Sequence, residues 1–240
     1  GRFGRMPFAP GEEPAGVLGL MLATIGTALA LVATRLAFPL LFPRVESVVG
    51  SARKASSDAV VLAGSYNPAH RGHLSMLRFL SERHDKVYAA IGFNPNKKYE
   101  ASPEERRAIL KRCLQVEGIE NVEVALVEGY IWRFAMAKGC TKFYRGIRSW
   151  ELDGKEERHL HFLNQIGPIM YGPRWPLPTT FLLGDPQYNH ISSTIVRDKA
   201  KLGEDLSDFV PSEVAEDITR IYSRGVTNGS QESSETSATQ

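Results

Sequence analysis

The sequence predicts an α/β fold, a Rossmann-like five-stranded parallel sheet with helices on both faces, preceded by one transmembrane helix. From Ala59 onwards, short runs of β-forming residues alternate with longer helical stretches, which is typical of parallel strands joined by crossover helices. Ser102-Pro103-Glu104-Glu105 is a capping box with proline at the first helical position, so it marks the start of one helix. Ahead of this pattern, residues 15–34 are mostly apolar and carry no charge.

The predicted strands and helices follow one another along the chain. The strands are residues 59–64, 86–93, 122–127, 142–147 and 179–184. The helices are residues 72–83, 103–116, 130–138, 155–164, 193–201 and 212–222. Ligands of such sheets bind beyond the carboxyl ends of the strands, so the loops after the strands are expected to hold the functional residues.

Composition excludes several classes of protein. The chain is 42% hydrophobic and 23% charged, which is ordinary for a folded domain and excludes wholesale disorder, collagen and coiled coil. Residues 58–240 carry 23 basic and 24 acidic residues, so this part lacks the positive charge of a nucleic-acid binder. Cys113 and Cys140 have no CxxC motif around them, which argues against a disulfide framework and a zinc site, although the two could still pair.

The apolar segment 15–34 is long enough to cross a membrane, because about 20 apolar residues in a helix span a bilayer core of about 30 Å. It lacks the polar stripe of a helix in a soluble domain. More basic residues follow it than precede it, so the positive-inside rule places the downstream domain on the cytosolic side of a membrane. Alternatively, this segment and the basic, serine-bearing residues behind it form a leader that is cleaved in an organelle, a plastid or a mitochondrion.

The sequence therefore divides into five parts. They are an N-terminal flank (1–14), the transmembrane helix or leader segment (15–34), a linker (35–57), a folded domain (58–222) and a disordered tail (223–240). The tail consists mainly of Ser, Thr, Gly and other polar residues, which cannot bury enough surface to offset the loss of chain entropy.

The loop after the first strand, Gly64–Leu74 (GSYNPAHRGHL), holds two histidines. It contains neither a GxGxxG dinucleotide fingerprint nor a GxxxxGK[ST] phosphate loop. His70 and His73 lie where the loop turns into a helix, so both imidazoles are expected at a helix N-terminus, where they can donate to an anion. Gly72 between them leaves room for a ligand to approach the backbone.

A second polar segment, Tyr188–Arg197 (YNHISSTIVR), follows the fifth strand. Its Ser-Ser-Thr opens a helix, and such a start offers hydroxyls and backbone N–H groups to a phosphate. Taken alone, Ser-Ser-Thr is better explained as an N-cap. Its place after the fifth strand favours the phosphate interpretation, since that is the ligand edge of the sheet.

Together, the His-x-Gly-His of residues 70–73 and the Ile-Ser-Ser-Thr-x-x-Arg of residues 191–197 resemble the adenylyltransferase branch of the nucleotidyltransferase superfamily related to class I aminoacyl-tRNA synthetases. Cytidylyltransferases of the same fold carry an Arg-Thr-x-Gly ahead of this motif, and no such residues precede Ile191, so the resemblance favours ATP over CTP. The Asn-Pro-x-Lys-Lys of residues 94–98 and the Arg-Gly-Ile-Arg of residues 145–148 narrow the resemblance to the bacterial type of phosphopantetheine adenylyltransferase. It covers nearly all of residues 58–222, which it identifies as a nucleotidyltransferase domain.

The resemblance implies an enzyme of coenzyme A biosynthesis that transfers AMP from ATP to 4′-phosphopantetheine, giving dephospho-coenzyme A and pyrophosphate. The attack is expected to be direct and in line, without a covalent enzyme intermediate. Mg²⁺ is the expected cofactor, bound mainly through ATP phosphates and not by protein ligands. The expected partners are ATP, 4′-phosphopantetheine and, through residues 15–34, a membrane; assembly into a homo-oligomer stays open, and no nucleic acid is expected.

Two other functions stay open at this point. Enzymes that adenylylate nicotinate or nicotinamide mononucleotide share the His-x-Gly-His and Ile-Ser-Ser-Thr-x-x-Arg motifs. They do not share the Asn-Pro-x-Lys-Lys and Arg-Gly-Ile-Arg pieces. The chain could also be a membrane-attached nucleotide-binding module without turnover, because insertions near an active site can disable it while the fold survives.

The resemblance also implies roles for individual residues. The catalytic residues are His73, Lys97 and Arg148. The ATP-binding residues are Ser65, Tyr66, His70, His73, Gly146, Ile147, Arg148, Glu157, Tyr188, Asn189, His190, Ile191, Ser192, Ser193 and Thr194. The residues that bind phosphopantetheine are Ser65, Lys97, Ile131 and Arg145.

Three stretches depart from the family pattern. Matching Glu157 to the family's ATP-contacting glutamate requires a one-residue insertion. Residues 165–180 are longer and richer in Pro and Gly than the family's connection, which would alter the subunit contacts that this part of the family makes. Ile131 replaces a Met or Leu, which is a conservative apolar exchange.

Overall fold

The computed structural model describes residues 15–41, 44–49, 56–95, 99–148, 150–172 and 175–224. The chain forms two compact units, residues 1–42 and residues 43–240. In the first unit, Ala15–Leu41 form helix α1. The predicted transmembrane helix gains no support, because the described part of the chain holds no helix that is both long and apolar enough to cross a bilayer.

The second unit is built on a sheet of six parallel strands. They are β1 (Arg44–Ser47), β2 (Ser56–Gly64), β3 (His84–Phe93), β4 (Val122–Glu128), β5 (Lys142–Ile147) and β6 (Thr179–Leu183). Their order in the sheet is β1-β6-β5-β2-β3-β4, and every neighbouring pair is parallel. The predicted Rossmann-like parallel sheet is therefore confirmed, with one strand more than the sequence predicted.

The missed strand is β1, which lies in the stretch that the sequence assigned to a linker. Its four residues, Arg-Val-Glu-Ser, show no apolar run, and three of them are exposed. The strand exists because it pairs with the sheet edge at β6, where Val45 lies opposite Phe181. A partner more than 130 residues away in the chain leaves no local pattern, so the prediction of five strands was wrong by this one.

Helices cover both faces of the sheet. They are α2 (Arg71–Ser81), α3 (Pro103–Val116), α4 (Ile131–Ala137), α5 (Trp150–Tyr171), α6 (Ser193–Leu202) and α7 (Ser212–Tyr222). Helix α3 begins where the capping box predicts: Ser102 Oγ accepts from the backbone N–H of Glu105, and the Glu105 carboxylate accepts from that of Ser102. Helix α5 is much longer than the predicted 155–164 and contains Pro168.

The central strand β2 is buried on both faces. Val60 and Leu62 belong to the apolar core under α2, α3, α6 and α7, while Val61 and Ala63 belong to the core under α4. This explains why its sequence is a continuous apolar run and not an alternating one. From β2 the chain proceeds to β3 and β4 on one side and then returns to β5 and β6 on the other, so the crevice forms at the carboxyl ends of β2 and β5.

Candidate active site

A cavity of about 680 Å³ opens at the carboxyl ends of β2, β5 and β6. It brings together fifteen of the residues to which the sequence assigned a role, although they come from loops up to 129 residues apart. They are Ser65, Tyr66, His70, His73, Ile131, Arg145, Gly146, Ile147, Arg148, Tyr188, Asn189, Ile191, Ser192, Ser193 and Thr194.

Three other predicted site residues are not among the residues that line this cavity. Lys97 lies outside the described residues, and so does the side chain of Glu157, whose backbone belongs to α5. His190 is described and exposed, and its ring lies against Phe209, with 6.4 Å between the ring centroids. His190 follows the short 3₁₀ helix Pro186–Tyr188, and its role in ATP binding stays a prediction.

Several cavity residues were not predicted as site residues. Asp185 follows β6, and its carboxylate accepts hydrogen bonds from the backbone N–H and the side-chain amide of Gln187. Leu160 reaches the cavity from α5, and Arg197 belongs to the Ile-Ser-Ser-Thr-x-x-Arg motif without having been given a role. The position of Asp185 directly after a strand is the one signal that could have identified it from sequence, since strand ends line the ligand edge.

The loop after β2 has an unusual backbone at Tyr66. Its φ of 45° lies in the left-handed region that favours glycine, and its side chain is buried with the hydroxyl donating to Leu62 O. Burial raises the pKa of this tyrosine well above its ordinary value. Gly64 makes room for the ring, because a Cβ on Gly64 would lie 3.0 Å from the Tyr66 ring. The two residues together determine the shape of the loop.

Carbonyl groups of this loop accept hydrogen bonds from side chains of two helices, α3 and α6. Arg106 Nη1 on α3 donates to Ser65 O at 3.0 Å, and Arg197 Nη1 on α6 donates to the carbonyl of Asn67. Ser193 Oγ, at the start of α6, donates to Pro68 O at 2.8 Å. The loop is thus held from outside by side chains that lie far from it in sequence.

His70 and His73 form a pair at the start of α2. The Nδ1 atoms of both rings are buried and find no hydrogen-bond partner within the described chain. Burial, together with the nearby Arg148, lowers the pKa of His73 to about 4. Burial, His73 and Arg148 lower the pKa of His70 to about 2. Both imidazoles are therefore neutral near pH 7, and each carries one N–H that can donate to an anion.

Helix α6 presents its N-terminus to the cavity. Ser192 is the N-cap, and its hydroxyl accepts from the backbone N–H of Ile195 at 3.2 Å. The hydroxyl of Ser193 is already engaged with Pro68, and Thr194 Oγ1 accepts from Arg197 Nη2. The first backbone N–H groups of α6 have no partner within the helix, so they can donate to a phosphate beside these engaged hydroxyls.

The charge of the cavity wall suits a polyanion. Arg145, Arg148 and Arg197 line it, and Asp185 is the only acidic residue among the described lining residues. No group of three or more His, Cys, Asp or Glu side chains that could hold a metal ion occurs in the described part of the chain. The arrangement can therefore bind phosphate groups through cations, imidazoles and helix N-termini.

Comparisons with known proteins agree with this geometry. Residues 61–199 match the cytidylyltransferase-like family model. A phosphopantetheine adenylyltransferase of Rubrobacter xylanophilus is 32% identical over 164 residues, which cover 68% of this chain and 94% of that protein. A phosphopantetheine adenylyltransferase of Streptococcus gordonii is 34% identical over 167 residues, which cover 68% of this chain and 96% of that protein.

Solved structures resemble the chain at the level of fold. A nicotinic acid mononucleotide adenylyltransferase of Plasmodium falciparum, solved in complex with NaAD, superposes with a TM-score of 0.50 at 14% sequence identity. The match covers 70% of this chain and 97% of that chain. At this low identity the likeness concerns the fold alone.

Proposed function

Since the chain belongs to the phosphopantetheine adenylyltransferase family, we propose that it transfers AMP from ATP to 4′-phosphopantetheine, giving dephospho-coenzyme A and pyrophosphate. It is a nucleotidyltransferase of coenzyme A biosynthesis. One observation carries the proposal of substrates: residues expected to contact ATP and residues expected to contact phosphopantetheine line the same cavity.

The proposed reaction is a single displacement at phosphorus. A phosphate oxygen of 4′-phosphopantetheine attacks the α-phosphorus of ATP, a new P–O bond forms, and the bond to the pyrophosphate oxygen breaks. Two polyanions must approach each other, so the chief task of the protein is to position them and to stabilise charge. No protein nucleophile is required, and the enzyme forms no covalent intermediate.

Each group in the cavity has a task in this displacement. Arg148 and the imidazole of His73 donate to the α-phosphate oxygens, where negative charge develops. Arg145, at the carboxyl end of β5, holds the phosphate of the acceptor, and Ile131 offers an apolar contact to its pantetheine chain. The N-terminus of α6 holds the phosphates of ATP through backbone N–H groups. Lys97 is proposed as a further donor to the acceptor phosphate.

Mg²⁺ fits the donor set of the cavity. Asp185 is the only carboxylate among the described lining residues, and its oxygens already accept hydrogen bonds from Gln187. Such a wall suits a cation that is held mainly by phosphate oxygens and water, as Mg²⁺ commonly is, and not one that needs a protein cage. When bound, Mg²⁺ would neutralise part of the triphosphate charge. The protein side chains would still position the two substrates and donate to their phosphates.

The test is an assay of the full chain with ATP, Mg²⁺ and one candidate acceptor at a time. The acceptors are 4′-phosphopantetheine, nicotinate mononucleotide, nicotinamide mononucleotide and, as a matched control without the attacking phosphate, pantetheine. We expect pyrophosphate and dephospho-coenzyme A in equal amounts with 4′-phosphopantetheine and no pyrophosphate with pantetheine. A preference for a mononucleotide would contradict the proposed acceptor. Binding of ATP without turnover on any acceptor would favour a non-catalytic nucleotide-binding module.

Two expectations from the sequence stay predictions. One is the compartment, either the cytosolic side of a membrane or an organelle after removal of a leader. The other is assembly into a homo-oligomer. Neither bears on the residues of the cavity, which all belong to the second unit.

A further inference from the structure

Arg106 is a fully buried arginine outside the cavity. It lies in the first turn of α3, and only 1% of its surface is exposed. Within the described residues its guanidinium makes one hydrogen bond, from Nη1 to Ser65 O at 3.0 Å, while Nε and Nη2 have no hydrogen-bond partner. The guanidinium lies over the ring of Tyr99, 4.6 Å from its centroid.

Three features make this position unfavourable for a cation. Burial removes the guanidinium from water and lowers its pKa. The first turn of a helix is the positive end of its dipole, which repels a cation. No carboxylate of the described chain lies within ion-pair distance of Arg106, although Glu104 and Glu105 precede it directly. A buried and unpaired charge is rare unless it performs a task that an apolar side chain cannot perform.

We propose that Arg106 is a positioning residue for the transfer reaction. By donating to the carbonyl of Ser65, it fixes the Ser65–Tyr66 peptide group. The Tyr66 N–H and the Ser65 side chain are thereby held toward the substrate phosphates. The inference rests on the proposed function, because it assigns a purpose to that same cavity.

The geometry of the peptide group supports this assignment. A trans peptide is planar and carries its C=O and its N–H on opposite sides, and Ser65–Tyr66 is trans. When Arg106 holds the carbonyl on its own side, the Tyr66 N–H points away from Arg106. Ser65 and Tyr66 both line the cavity, whereas Arg106 does not, so Arg106 holds the loop from behind.

The strained backbone of Tyr66 explains why the loop needs such a hold. A φ of 45° is unfavourable for a residue with a side chain, and such a conformation persists only where surrounding groups enforce it. The Tyr66 hydroxyl is fixed on Leu62 O at one end, and the carbonyl before Tyr66 is fixed by Arg106 at the other. Without the hydrogen bond from Arg106, this peptide group is free to rotate and to turn its N–H away from the substrate.

The charge of Arg106 adds a second contribution. Since no carboxylate of the described chain forms an ion pair with it, part of its positive potential extends through the loop toward the cavity. The site that it faces is proposed to receive the phosphates of two polyanions. A lysine at this position would keep the charge but could not reproduce the planar donor geometry of a guanidinium.

The experiment compares Arg106→Met, Arg106→Lys and, as a matched control on the exposed side of the same helix, Arg112→Met. Steady-state kinetics with ATP and 4′-phosphopantetheine are measured per folded molecule, with the folded fraction taken from circular dichroism. We expect kcat of Arg106→Met to fall about tenfold or more, because a misdirected donor acts mainly on the transition state. Arg106→Lys should recover part of that loss, and Arg112→Met should match the wild type.

A second readout separates this inference from the proposed acceptor. ATP binding is measured by titration calorimetry without any acceptor. It should weaken in Arg106→Met, because the positive potential of Arg106 also acts on the bound triphosphate, and stay unchanged in Arg112→Met. If the wild type proves inactive on 4′-phosphopantetheine, the proposed function fails, while the calorimetry still tests Arg106. If Arg106→Met keeps the kcat and the ATP affinity of the wild type per folded molecule, Arg106 serves only the stability of α3 and the inference is overturned.

Discussion

The imidazole rings of His70 and His73 lie 3.9 Å apart, centroid to centroid, at the start of α2. Burial and the nearby Arg148 keep both rings uncharged near pH 7, since they lower the pKa of His73 to about 4 and that of His70 to about 2. Gly72 permits this arrangement, because a Cβ there would lie 3.1 Å from the His70 ring. An anion bound beside the pair is therefore expected to raise the pKa of both rings.

The first prediction concerns the dependence of stability on pH. Between pH 6.5 and about 4, the unfolded chain protonates both histidines while the folded chain protonates neither. The free energy of unfolding should therefore fall as the pH falls through this range, by up to about 1.4 kcal/mol per pH unit for each histidine. Below about pH 4 His73 is protonated in both states, and only His70 continues to contribute.

Chemical denaturation at a series of pH values checks this prediction. The double variant His70→Gln/His73→Gln should show a smaller decrease between pH 6.5 and 4 than the wild type. His190→Gln, which replaces an exposed histidine, should keep the wild-type slope. Equal slopes in the wild type and the double variant would mean that the folded protein accepts protons on both rings.

The second prediction separates the two histidines in catalysis. His73→Ala should lower kcat by roughly 10² or more with little change in ATP affinity, because a donor to developing charge acts mainly in the transition state. His70→Ala should have a smaller effect, since His70 is the more deeply buried N-cap of α2. Pyrophosphate release and equilibrium binding of ATP measure both quantities. An equal loss in both variants that appears only in KM would contradict these roles.

The third prediction concerns the contact between Gly146 and Met76 below the cavity. A Cβ on Gly146 would lie 2.6 Å from Met76 Sδ, and Met76 is itself buried. Gly146→Ala should therefore lower the free energy of unfolding by about 1–3 kcal/mol, because it overpacks the floor of the cavity. In the double variant with Met76→Ala, the added methyl group occupies vacated space, so the cost should be less than the sum of the two single changes. Urea unfolding of the four proteins measures this coupling, and additive costs would contradict it.

The fourth prediction concerns strand β1 as a cover for the sheet edge. Removing residues 1–42 leaves β1 in place, whereas removing residues 1–55 exposes the apolar edge strand β6. The longer truncation should lower the unfolding midpoint and promote aggregation, because an unpaired apolar edge pairs with other chains. The shorter truncation is the matched control, and unfolding curves with light scattering compare the two. Identical behaviour of both truncations would show that β1 contributes nothing to the second unit.

Much of the fold was predictable because its signals are local. The capping box at Ser102 marks the start of α3, and the apolar run of β2 indicates a strand buried on both faces. The His-x-Gly-His and Ile-Ser-Ser-Thr-x-x-Arg motifs indicated where the cavity would form, since strand ends of a parallel sheet share one edge. Each of these features depends on neighbouring residues and on the periodicity of a single element.

Other features were not predictable because they depend on contacts distant in sequence. The strand β1 follows from pairing with β6, and the ring of His190 lies against that of Phe209. The hydroxyl of Ser193 donates to Pro68 O, which lies 125 positions away in the chain. No pattern within a single segment records such pairings.

The sequence by itself determined the class of fold, the family and the segments that meet at the cavity, because hydrophobic periodicity, capping and short motifs are written in adjacent residues. Only the tertiary structure decided which side chains hold the loop after β2 and how far the pKa values of its histidines are lowered. Arg106 reaches Ser65 across 41 positions, and burial together with Arg148, which follows another strand, lowers the pKa of His73. Burial and electrostatic interaction act through space, so they exist only once the chain has folded.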